Sequence, residues 1–165
     1  MAITRIDAEG VGELSATARD RERLRANRNL HPDLADPVQR MLNAFEPGTY
    51  VRPHRHQDPP KWELFLALSG AAACLTFDDA GGVSERCEIR AGGPVFGLEI
   101  PAGAWHSLAA LEPGTVLFEL KPGPYEPLAD KDFAGWAPAE GEAGAAALEQ
   151  WLQRAGVGDA WPGVG

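Results

Sequence analysis

The chain has 165 residues, and its 15 Lys plus Arg against 24 Asp plus Glu give a formal net charge of −9. That balance disfavours a phosphate backbone as partner, so a nucleic-acid function is not expected. The length suits one domain able to bury ~70% of its unfolded surface.

The opening MAITRIDAEG has no apolar core of the secretory type. The longest nearly apolar run, 64–77, is shorter than the ~20 residues of a membrane helix and contains Ser69, Gly70 and Thr76. A soluble, cytoplasmic protein with no membrane partner is expected.

The first 20 residues are polar, and Ser15 is the expected cap of a short helix running through TARDRERL. From Arg23 the pattern changes. Arg23, Arg25, Asn27, Asn29 and His31 share one parity, while Leu24, Ala26 and Leu30 share the other. Period two predicts a strand. Its polar face is expected to be exposed or at a subunit contact, ahead of lining a ligand pocket. His31 precedes Pro32 and reads as a loop or hydrogen-bonded residue, not a metal ligand.

Further strands are predicted at 37–45, 48–53, 62–68, 71–77, 83–89, 95–100, 107–111 and 115–121. They are separated by the turn signals EPG, QDPP, SG, DDAGG, RAGGP and PAGA. Short strands at this spacing predict a sandwich or barrel, and two packed sheets resolve the edge problem as a jelly roll. Cys74 and Cys87 flank the turn FDDAGGVS and are expected to be reduced core residues in place of a disulfide. After Lys121 a proline- and aromatic-rich tail should wrap the barrel. A helix is predicted over 140–154, with Leu148, Trp151 and Leu152 as its apolar stripe and Gly156 as its C-cap.

The chemistry concentrates in 48–70, GTYVRPHRHQDPPKWELFLALSG. Residues i and i+2 of a strand share a face, so His54 and His56 project side by side, with Arg52 and Tyr50 behind them. QDPP turns the chain, and Glu63 stands near the start of the returning strand. Two imidazoles and a carboxylate suit a borderline divalent metal. A fourth donor, His106, closes GLEIPAGAWH after a P-x-G-x-x-H turn.

Together these stretches resemble the two motifs of the cupin superfamily. The resemblance implies an all-β, double-stranded β-helix (the cupin jelly-roll barrel, RmlC-like) with a short N-terminal helix and a C-terminal helix. It also implies one metal ion on His54, His56, Glu63 and His106. The spacer between His56 and Glu63 is longer than the family's usual one, and Ala110 stands where an asparagine often follows the third histidine. The strings DPVQRMLNAF, PGTYVRPHRH, KWELF, EIPAGAWH and KPGPYEPLADKDFAGWAP look like the WbuC-type cupins of bacterial O-antigen gene clusters. On this pattern 1–22 is an N-terminal extension, 23–125 the metal-binding barrel, and 126–165 a C-terminal wrap and helix. Cupins of this kind commonly pair through N-terminal strands, so a homodimer is expected.

Three histidines and one carboxylate leave coordination positions open, the mark of a catalytic metal. Zinc, iron, manganese and nickel all remain candidates. The expected activity is metal-dependent chemistry on a small oxygenated or anionic molecule, such as a sugar derivative in polysaccharide metabolism, of an isomerase- or epimerase-like kind. A non-catalytic sensing cupin and an iron-dependent dioxygenase are the alternatives. Tyr50, Arg52 and Lys61 are the candidate substrate or acid–base groups beside the metal.

Overall fold

The computed structural model describes residues 3–128 and 132–163. Helix α1 (Ala8–Arg19) is followed by strands β1 (Arg25–Asn29), β2 (Val38–Phe45), β3 (Glu63–Ser69) and β4 (Ala71–Phe77). Then come β5 (Val83–Arg90), β6 (Gly97–Ile100), β7 (Trp105–Ala110), β8 (Thr115–Pro122) and helix α2 (Ala145–Arg154). The strands form a five-stranded antiparallel sheet in the order β1-β2-β8-β3-β6 and a three-stranded sheet β5-β4-β7.

Strand parity decides where each apolar group goes. Phe65 and Leu117 from the larger sheet meet Ala72, Cys74, Ile89 and Leu108 from the smaller one in the inner core. The opposite parity of the larger sheet, Leu42, Ala44 and Val116, is covered by Leu14 and Ala18 of α1. On the smaller sheet Ala73, Leu75, Phe77 and Ala109 pack under Leu148 and Leu152 of α2. Strand β4 is thus covered on both faces, which explains why AAACLTF is apolar almost throughout. Gly70 makes the β3–β4 turn at φ +64, and a Cβ there would meet the Thr115 Cα at 2.8 Å, so only glycine fits.

Four local expectations are revised. Helix α1 starts earlier than expected, with Asp7 as its cap accepting from the Gly10 N–H. Ser15 is instead buried mid-helix, its hydroxyl donating to Glu46 Oε1 at 3.0 Å. Packing on the sheet sustains a helix that the glycines of AEGVG disfavour.

The stretch 48–53 joins no sheet, and Gly48 lies in a turn at φ +98. Pro53 has no N–H, and the neighbouring hydrogen bonds go two ways: His54 exchanges a pair with His106, while Arg55 and Pro53 bond to Asp132 and Ala134. Helix α2 begins at Ala145, later than the predicted 140. It ends through Ala155 in extended backbone, with the Ala155 N–H donating to Trp151 O, and Gly156 has no left-handed role. No helix among the described residues is long and apolar enough to cross a membrane.

Candidate metal centre

The segment 52–57, strand β3 and strand β7 converge on one cluster of side chains. His54 reaches the site because its backbone is bridged to His106, with His54 N to His106 O at 3.0 Å and the return bond at 2.8 Å. The turn before β7 fixes the next residue along. Gly103, at φ +78, donates its N–H to His56 O at 3.1 Å, which ties the P-x-G-x-x-H turn to the first histidine pair. Glu63 opens β3, where the register sets it opposite Ile100 on the edge strand. One ligand atom from each of His54, His56, Glu63 and His106 lies within 4.8 Å of the others. Among the described residues this is the single His/Cys/Asp/Glu group with such geometry.

The protonation pattern is set by backbone carbonyls. His54 Nδ1 lies 2.9 Å from Arg52 O, and His106 Nδ1 lies 2.9 Å from Ala104 O. A carbonyl only accepts, so both rings carry their proton on Nδ1 and turn the Nε2 lone pair inward. That is the tautomer a metal ligand needs, fixed by the partner of its other nitrogen. Burial, reinforced by the neighbouring His106, lowers the His54 pKa to about 3, so its imidazole is neutral at ordinary pH. Burial pushes Glu63 up; with a proton in place of a metal on the facing His106 and His56 Nε2 atoms, their hydrogen bonds and the charge of Lys121 outweigh it and hold the carboxyl well below its usual range.

One contact tests whether these residues fit a cation. His106 Nε2 stands 2.8 Å from Glu63 Oε2, and both atoms are buried. With the ring proton committed to Ala104 O, two acceptors face each other. Only a proton or a metal ion between them reconciles the arrangement, so the donor set fits a divalent cation. His56 Nε2 adds a third approach, 3.1 Å from Glu63 Oε1.

Sequence reasoning missed the group behind the carboxylate. Lys121 donates to Glu63 Oε1 at 2.9 Å and stands 2.7 Å from Glu119 Oε1, while Asn43 donates to Glu119 Oε2 at 2.5 Å. Burial works against the charged Lys121, but Glu119 and Glu63 override it and raise its pKa; burial likewise raises Glu119, opposed by Lys121. The signal was present in β8, where Glu119 and Lys121 alternate with apolar neighbours and so share the inner face with Leu117.

The three candidate substrate groups separate. Arg52 lines a cavity of about 900 Å³ together with His54, and its guanidinium lies 4.9 Å from the Phe133 ring centre. Tyr50 is packed in the core under α2, its hydroxyl donating to Pro138 O at 2.8 Å, and burial raises its pKa. Lys61 is buried beside a smaller cavity of about 160 Å³, its ammonium donating to Pro124 O and lying 3.9 Å from Glu126. His31 lies outside the cluster, its Nδ1 accepting from the Arg40 N–H at 3.1 Å.

No curated protein matches the chain. Among solved structures, a mutant of Bacillus subtilis oxalate decarboxylase superposes with a TM-score of 0.50 at 18% identity, covering 67% of this chain and 28% of that one. KdgF from Halomonas sp. gives 0.48 at 17% identity, over 62% of this chain and 82% of that one. A cupin superfamily protein from Desulfitobacterium hafniense gives 0.47 at 22% identity, over 66% and 85%. At such identities the likeness establishes the fold alone, two antiparallel sheets in a cupin jelly roll. A family model described as a domain of unknown function, DUF6016, matches residues 6–89. That span holds α1 to β5 and three of the four donors, with His106 beyond it. It exceeds half of the chain, which therefore belongs to the DUF6016 family and carries its matched region within a cupin fold.

Proposed function

We propose that this protein is a mononuclear cupin metalloprotein, holding one divalent metal on His54, His56, Glu63 and His106 and acting on a small oxygen-rich molecule. The observation that carries the reading is the buried His106 Nε2 facing Glu63 Oε2 at 2.8 Å. A bound divalent ion supplies Lewis acidity for a substrate carbonyl or an activated water. The chain's own residues do the rest. Arg52 O and Ala104 O hold two imidazoles in the ligating tautomer, and Lys121, braced by Glu119, fixes the orientation of Glu63. The apolar floor of Phe65, Leu108 and Ile100 keeps bulk water from that side.

The motif strings favour a WbuC-type cupin working on a sugar derivative in polysaccharide metabolism, with an isomerase- or epimerase-like reaction. The same reading takes the protein as cytoplasmic, which suits its two free thiols. It also takes the chain as a homodimer, which suits β1 as an edge strand with Asn27 and Asn29 exposed.

Protein purified without an affinity tag should contain about one divalent metal per chain by elemental analysis, the stoichiometry of a four-donor site. His54→Ala and His106→Ala should each lose most of it while keeping a wild-type circular dichroism spectrum. Full metal content in both variants would overturn the assignment. A second reading, a binding or sensing cupin without turnover, is favoured by the engagement of Tyr50 and Lys61 with backbone carbonyls. Iron content with substrate-dependent oxygen uptake would support a dioxygenase instead.

A further inference from the structure

The protein carries a net charge of −9, yet the 900 Å³ cavity beside His54 is lined by four arginines and three glutamates. Two of those glutamates are already paired. Glu140 is held by Arg23 at 2.5 Å and by Arg25 at 3.0 Å, and Glu119 by Lys121 and Asn43. Arg25 also donates to Tyr50 O, so its guanidinium is committed. Arg52 differs. Its Nε–H donates to Ala137 O at 3.1 Å and its plane is backed by Phe133, but no carboxylate among the described residues pairs with it. An arginine braced on one edge, with its terminal N–H groups facing a cavity and bonded to no carboxylate among the described residues, is preorganised for a carboxylate.

The opposite wall is the inner face of the larger sheet, and it offers the complementary chemistry. Asn27 and Asn43 are register partners on β1 and β2, and both line the cavity. Each spends its amide N–H₂ locally, Asn27 on Asn29 Oδ1 and Asn43 on Glu119. Their amide oxygens are left as acceptors for hydroxyl donors. The polar parity of β1 is thereby given a use.

We infer that this cavity binds a compact hydroxylated organic acid, its carboxylate on Arg52 and its hydroxyls on Asn27 and Asn43. The inference deepens the reading of a small oxygen-rich substrate and rests on it for the cavity's purpose, but it does not require the metal.

Isothermal titration of as-purified and chelator-stripped protein tests it with three probes: D-gluconate, the neutral polyol D-glucitol, and inorganic phosphate. Gluconate should bind both forms, and glucitol should bind at least about tenfold more weakly because the charge-assisted bonds are lost. Arg52→Gln should weaken gluconate by about tenfold or more, with Arg52→Lys falling between. Since Arg52 also braces Phe133 and Ala137, Asn27→Asp supplies a second variant. It puts a negative charge at an exposed position without disturbing packing and should weaken gluconate about fivefold or more.

Failure of gluconate to bind, equal binding of glucitol, wild-type affinity in both Arg52→Gln and Asn27→Asp, or tighter binding of phosphate would each overturn the proposal. Arg52-dependent gluconate binding by a protein that holds no metal as purified and takes up none when it is supplied would uphold it while refuting the metal reading. Metal on the four donors without gluconate binding would do the reverse.

Discussion

At Glu63 a buried carboxylate meets two imidazoles and an ammonium, and two of these neighbours are fixed from behind: His106 by Ala104 O and Lys121 by Glu119. The same residue scale separates the two thiols. Cys74 and Cys87 are register partners across β4 and β5 and both are free. Burial pushes Cys74 up to about 12, helped by the nearby Cys87, and burial also raises the half-buried Cys87. An unfolded thiol ionises near 9, so between about 9 and 12 the unfolded chain sheds a proton that the folded Cys74 retains. The contribution to stability is therefore complete below pH 9 and is lost as pH rises toward 12. Urea midpoints should fall between pH 8 and about 10.5, and Cys74→Ala should remove part of that fall. A midpoint that is flat, or one whose fall is unchanged by the substitution, would contradict this. Two thiols per chain should titrate in rapidly alkylated, denatured lysate.

At the scale of elements, the clearest lesson is that period two and period 3.6 read correctly only where packing agrees with them. Strand β1 follows its polar parity, and Ala26 on the opposite parity is buried under α1. The segment 48–53 has the parity of a strand but no ladder, because proline and the tail at 132–134 take its hydrogen-bonding places. His54 and His56 nevertheless stand side by side, their ring centres 5.2 Å apart. For α2 the partner is the smaller sheet, with Leu148 and Leu152 fully buried over Leu75 and Ala109. Leu148→Ala should cost roughly 2–5 kcal/mol, the range for a leucine removed from a packed core. Urea unfolding measures that loss, and limited proteolysis should then cut first near the helix. A change under about 0.5 kcal/mol would mean that α2 is only loosely seated.

At the scale of the molecule, the two helices cap the outer faces of the two sheets and leave the space between the sheets for the core and the site. The proposed dimer predicts a solution mass near twice 17.6 kDa by light scattering, and a mass of one chain at micromolar concentration would refute it. Asn27→Ala and Asn29→Ala together should weaken that assembly if β1 is the contact, because the edge presents those side chains.

The sequence by itself determined the strand-rich class, the places of the strands other than 48–53, and which four residues come together at the candidate metal site. Alternation, turn residues and the H-x-H and P-x-G-x-x-H spacings are local and survive in a linear text. Only the tertiary structure decided which groups stand behind those donors. Lys121, Glu119 and Asn43 lie far from Glu63 along the chain and are linked to it in sequence, Asn43 to Glu119 to Lys121 to Glu63, through the registers of β2, β8 and β3, which no local pattern records. It likewise decided that the polar face of β1 turns toward the cavity while Tyr50 turns into the core beneath α2. Parity states which residues share a side, but only the layers packed on a sheet make one side the inside.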